Sequence, residues 1–103
     1  MKSYLIAALA VASVAFAGAA QADEAMAKEK GCLGCHAVDK KKMGPGFKDV
    51  AAKYKGDKSA EAKLVKKVKE GGKGVWGDMV MPPNAHVKDA DIQKLVKWIL
   101  ATK

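Results

Sequence analysis

Apolar residues fall into helical periods at two places in the chain. Ile92, Leu95, Val96, Ile99 and Leu100 recur at i, i+3, i+4, i+7 and i+8, the period of one face of an α-helix. They predict a helix over Asp89–Lys103. Asp89 and Asp91 sit in its first turn and Lys97 and Lys103 in its last, where each sign suits the helix dipole. Trp98 flanks the stripe as a structural residue. A narrower stripe of Leu64, Val65 and Val68, with Lys63, Lys66, Lys67 and Lys69 facing water, predicts a second helix over Asp57–Glu70. Asp57 or Ser59 is its cap candidate, and Gly71-Gly72 ends it. Ala25, Met26, Ala27 and Glu29 favour a helix over Asp23–Gly31, and a short one is expected from Phe47 to Tyr54. Two segments with glycine and proline read as loops, Val38–Val50 around Gly44-Pro45-Gly46 and Gly71–Val87. No run alternates with the period of a strand.

The N-terminal stretch carries a different pattern. Lys2, an apolar run from Tyr4 to Phe16, Gly18 and the triplet Ala20-Gln21-Ala22 read as a secretory signal peptide over residues 1–22, cleaved after Ala22. The alternative is an uncleaved anchor, but the run is short and alanine-rich for a membrane span. No cysteine lies at the cleavage point for a lipid anchor. Export to the periplasm is therefore expected, with no membrane anchor. Removing 22 of the 103 residues leaves 81, one domain over residues 23–103. A domain of that size buries a thin core and often relies on a staple or metal.

Charge adds to this picture. All 19 basic residues are lysine, against 11 acids, for a net charge of +8. Lysine-only basicity with few aromatics argues against nucleic acid, where arginine is the preferred base and phosphate reader. Two readings remain open: a solvated surface, and a lysine-rimmed face that steers acidic partners. Lys40-Lys41-Lys42 is the densest run.

The candidate chemistry centres on Cys32-Leu33-Gly34-Cys35-His36. This is C-x-x-C-H, the spacing that attaches a c-type haem. Positions three apart share a face of a helical turn, so both thiols can add along one edge of a porphyrin, with His36 as a proximal iron ligand. A thioredoxin-like redox pair needs a βαβ pattern that is missing. A zinc site needs four ligands, and only Cys32, Cys35, His36 and His86 are on offer. The Gly71–Val87 loop is long for so small a domain, which marks it as functional. It holds Met79 and Met81, either of which can supply a thioether on the face opposite His36. Met81 is the stronger candidate because Pro82-Pro83 stiffens its backbone. Met26 and Met43 read as packing residues and His86 as a surface histidine. Pro45 offers a carbonyl to the second ring N–H of His36. Trp76 has an indole N–H for a haem propionate. Asn84 can donate to the ligand sulfur or brace the loop.

These pieces, Cys32-Leu-Gly-Cys-His36, Lys42-Met-Gly-Pro45, Gly74-Val-Trp76-Gly, Met81-Pro-Pro-Asn84 and Lys97-Trp98, resemble in order and spacing a small bacterial class I cytochrome c of the cytochrome c-551 type. The resemblance covers residues 24–103. It implies an all-α fold of about four short helices wrapped around one covalent haem, with the N- and C-terminal helices crossed. It implies thioether links at Cys32 and Cys35, and His36 and Met81 as axial ligands. It also implies that the Pro45 carbonyl orients His36, that Trp76 contacts a propionate and that Asn84 braces Met81. Lys67 stands where the family often has a basic residue near the propionates. The activity implied is one-electron transfer by a monomer. Its partners would carry acidic docking surfaces, such as a quinol-oxidising complex, a terminal oxidase or a nitrite reductase. The competing class is an enzyme or gas sensor with an open iron site. It is disfavoured because no distal His or Arg is placed to activate peroxide.

Overall fold

Helical backbone runs from residue 22 to residue 29 (α1) in the computed structural model, which describes residues 22–103. The predicted signal peptide, apart from Ala22, lies outside the described residues. After α1 the chain turns through Gly31, whose φ of 86° is a conformation glycine takes without steric cost. It then makes one 3-10 turn, Cys32–Gly34. Three further helices follow: α2, Phe47–Lys53; α3, Ala60–Glu70; and α4, Asp89–Leu100. The described residues contain no strand, only an isolated antiparallel bridge between Gly72 and Met81. The fold is all-α, as the resemblance implied.

Two helices are shorter than their patterns predict, for local reasons. α3 starts at Ala60 rather than Asp57 because the Asp57 carboxylate accepts hydrogen bonds from Ser59 N at 2.9 Å and Ser59 Oγ at 2.7 Å. Such short-range bonds compete with helix formation. α4 stops at Leu100 rather than Lys103. Its last carbonyls, which have no intrahelical partner, accept instead from Ala101 N, Thr102 N and Thr102 Oγ1. Lys103 lies beyond that end.

α4 is the hub of the core. Phe47, Val50 and Ile99 join α2 to it, and Val87, Ile92 and Val96, with Leu64, Val65 and Val68 packed against them, join α3. Val87 comes from the loop before α4, where no periodicity marks it as core. The N-terminal segment borders α4. Lys30 faces Asp91 at 4.0 Å, and Glu24 shares a surface groove with Trp98 and Thr102. Between them in sequence, Ala27 is fully buried. No helix among the described residues is long and apolar enough to cross a membrane.

Candidate haem site

The C-x-x-C-H residues form one tight turn because the Cys32 carbonyl accepts from both Cys35 N (3.3 Å) and His36 N (3.0 Å). Both cysteines are half-buried, and no disulfide joins them. Burial pushes the Cys32 thiol above its ordinary pKa, partly offset by a backbone hydrogen bond. The following loop is stitched back onto this turn. Gly44 N donates to Cys35 O at 2.8 Å, and Lys42 Nζ donates to Leu33 O at 2.9 Å.

That stitching positions His36. Its Nδ1–H donates to Pro45 O at 2.8 Å, which leaves the Nε2 lone pair as the ring's coordinating position. The ring stacks on Phe47 with centroids 5.2 Å apart and planes 24° apart. Gly44 packs so closely that a Cβ built there would lie 2.8 Å from Nδ1 and 3.0 Å from Nε2. The sequence marks Gly44 only as a turn residue. Its contact with the imidazole is a site feature that sequence reading missed.

Met81 is held from the other side of the chain. It exchanges two backbone hydrogen bonds with Gly72, at 2.8 and 3.0 Å. The loop read as structureless is therefore pinched at its base. Asn84 braces the same base: its side-chain amide donates to Val68 O at 2.9 Å and Pro82 O at 3.3 Å. Both amide hydrogens are committed to carbonyls, which favours the bracing role over donation to a sulfur. Met81 is half-buried, whereas Met79 is 64% exposed. Met43, expected to pack, is 61% exposed, and its sulfur lies 3.8 Å from Cys35 Sγ. His86 is exposed, as expected.

Trp76 is also exposed, and Lys53 Nζ sits 5.5 Å from its ring centre, within the range of a cation–π contact. Sequence reading did not single out Lys53. Lys67, grouped there with the water-facing lysines, is half-buried, with Nζ 2.6 Å from where a Cβ on Gly72 would stand.

Cys32, Cys35, His36, Trp76 and Met81 all border one cavity of about 210 Å³. Its floor is apolar, made of Phe47, Val50, Leu64, Val68, Leu95, Val96 and Ile99. These residues fit a haem c. They offer two thiols on one turn, an imidazole with a free Nε2 lone pair, a thioether on a pinned backbone and an apolar slot for a macrocycle.

Comparison with known proteins agrees. The family model described as cytochrome c matches residues 19–103. The chain belongs to the cytochrome c family. Like other members it carries one covalently bound haem c and is an electron carrier. It is 49% identical to cytochrome c-551 of Pseudomonas aeruginosa over 105 residues, covering 100% of both chains. It is 48% identical to cytochrome c-552 of Hydrogenobacter thermophilus, again over 100% of both. Among solved structures, the wild-type cytochrome c552 of Nitrosomonas europaea superposes with a TM-score of 0.75 at 46% identity, covering 78% of this chain and 99% of that one. It is a small class I cytochrome of the c-551/c-552 kind.

Proposed function

We propose that this cytochrome is a periplasmic one-electron shuttle, not an enzyme, matured by cleavage after Ala22 and holding its haem with His36 and Met81 as axial ligands. The observation that carries the reading is the double fixation of the two ligand candidates around one cavity. Pro45 O fixes the His36 ring, and the Gly72 bridge fixes the Met81 backbone. Cys32 and Cys35 would hold the macrocycle by thioether bonds. Bound there, the haem supplies a one-electron iron couple.

The chain's own residues then have three tasks. His36 and Met81 would occupy both axial positions and keep them in both oxidation states, which leaves no site for substrate. A methionine opposite a histidine also raises the potential. Phe47, Val50, Leu95 and Val96 line the slot and exclude water. Trp76 and Lys67, both in the cavity wall, would meet the carboxylates of the macrocycle.

The lysines favour an acidic partner. Lys30, Lys63, Lys69 and Lys97 each face a carboxylate, on Asp91, Asp57, Asp89 and Glu61. Lys67 and Lys73 line the cavity and Lys53 stands by Trp76 at its wall, and none of the three, nor Lys40, Lys41 or Lys42 on the loop after the C-x-x-C-H turn, forms an ion pair among the described residues. Positive charge at the cavity would speed encounter with an acidic docking surface. A quinol-oxidising complex as donor, and a terminal oxidase or nitrite reductase as acceptor, fit this chemistry.

The test is the visible and near-infrared spectrum of the haem-loaded protein in both oxidation states, with and without carbon monoxide. A weak near-infrared sulfur-to-iron band, a low-spin reduced spectrum and no rapid ligand uptake are expected. A high-spin reduced form that binds carbon monoxide at once would remove Met81 as ligand and turn the reading toward an enzyme or gas sensor.

A further inference from the structure

The restraints on His36 extend further than its own loop. Pro45 O holds Nδ1, which sets the direction of the ring but leaves it free to rock about that hydrogen bond. Gly44 and Phe47 limit the rocking: Gly44 by direct contact, Phe47 by stacking at 5.2 Å. Phe47 is only 2% exposed and cannot move away unless its own support gives. That support is Trp98 on α4, whose ring meets Phe47 edge-on at 5.5 Å and 75°. Edge-to-face pairs have a preferred geometry beyond their burial, so Trp98 defines a tilt for Phe47 rather than merely filling space. The backbone reinforces the link, because Phe47 N donates to Ala37 O at 2.9 Å, one residue past His36.

We propose that Phe47 and Trp98 are positioning residues for His36, an aromatic buttress through which the C-terminal helix fixes the plane of the imidazole. The proposal rests on His36 being an axial ligand. Trp98 lies off the apolar stripe of α4. It is half-buried beside the groove that also borders His36. It also packs against the Phe47, Val50 and Ile99 cluster, so the experiment must separate positioning from packing.

The experiment uses the full haem-loaded ferric protein and proton NMR of the paramagnetically shifted haem methyl and His36 ring resonances. Their pattern reports the orientation and mobility of the axial imidazole. Three variants are compared with wild type: Trp98→Leu, Trp98→Phe and, as a destabilised control in the other core cluster, Ile92→Val. Trp98→Leu is expected to shift and compress the spread of the haem methyl resonances and to change the reduction potential. Trp98→Phe should restore most of the wild-type pattern, and Ile92→Val should keep all of it despite its lower melting point. If Trp98→Leu does not assemble, Trp98→Phe still gives a measurable partial shift. Wild-type patterns in both Trp98 variants, or the same change in Ile92→Val, would overturn the proposal and leave Trp98 a packing residue. Absence of shifted His36 resonances in wild type itself would instead overturn the ligand assignment.

Discussion

Gly72 and Met81 face each other as an antiparallel pair, Met81 N donating to Gly72 O at 2.8 Å and Gly72 N to Met81 O at 3.0 Å. Eight residues lie between them, yet this pair ties the Met81 backbone to the C-terminal end of α3. The neighbouring Gly71 has φ 73° and lies directly under Met81 O; a Cβ there would also stand 2.9 Å from Pro83 N.

Gly71→Ala should therefore loosen Met81. The Gly71 ψ of −166° puts it in a region essentially reserved for glycine, which costs a side chain roughly 1–3 kcal/mol, and the clash adds to it. Denaturant unfolding of the haem-loaded variant should show a loss of at least about 1 kcal/mol. Its near-infrared sulfur-to-iron band should also disappear at lower denaturant than the rest of the fold. A variant with wild-type stability and an undiminished band would show that the pinch does not hold Met81.

Gly44→Ala should act on the opposite ligand. The added methyl would occupy space already filled by the His36 ring, so either the ring or the loop must move. Overpacking of this kind typically costs about 1–3 kcal/mol. The variant should melt earlier, with an altered low-spin spectrum in the ferric state. Unchanged melting would mean that the loop yields freely.

Acid should loosen the start of α3. Hydrogen bonds from Ser59, with Lys63 nearby, lower the Asp57 carboxyl to about 2. A folded-state pKa below the unfolded value stabilises the fold above the unfolded pKa, and that stability is lost as pH falls through the folded one. The contribution is thus present above about pH 4 and fades between there and pH 2. The melting temperature of wild type should drop across that window more than that of Asp57→Asn. Parallel curves would remove Asp57 from the acid response.

Reaction with a small anionic oxidant should slow as salt rises, because ions screen the lysines around the cavity. Lys73→Glu, at the exposed cavity lining, should lower the second-order rate constant several-fold at low ionic strength and very little at about 1 M, where the Debye length is near 3 Å. Lys66→Glu, on the exposed side of α3, should do less. Equal effects from the two reversals would mean that only net charge matters.

Local chemistry was legible in the chain from the start. C-x-x-C-H needs only one turn of backbone to bring its groups together. The stripe from Ile92 to Leu100 announces its helix because an amphipathic face repeats with the helical period. Pro82-Pro83 stiffens Met81 through covalent geometry alone. These readings depend on residues a few positions apart, where sequence spacing and spatial distance are nearly the same thing.

Contacts between segments were another matter. Gly44 and Gly72 serve the site by lacking a side chain, and an absent group carries no directional pattern to read. Val87 reaches the core from a loop, where no period exists. Lys67 looks like its water-facing neighbours on α3 until the returning Gly72 covers it. Trp98 stands off its helix stripe, and Phe47 and His36 reach it only because α2 and the C-x-x-C-H turn are packed against α4. Each of these depends on which surfaces the folded chain brings together, and burial of the shared core, rather than any local preference, makes that choice.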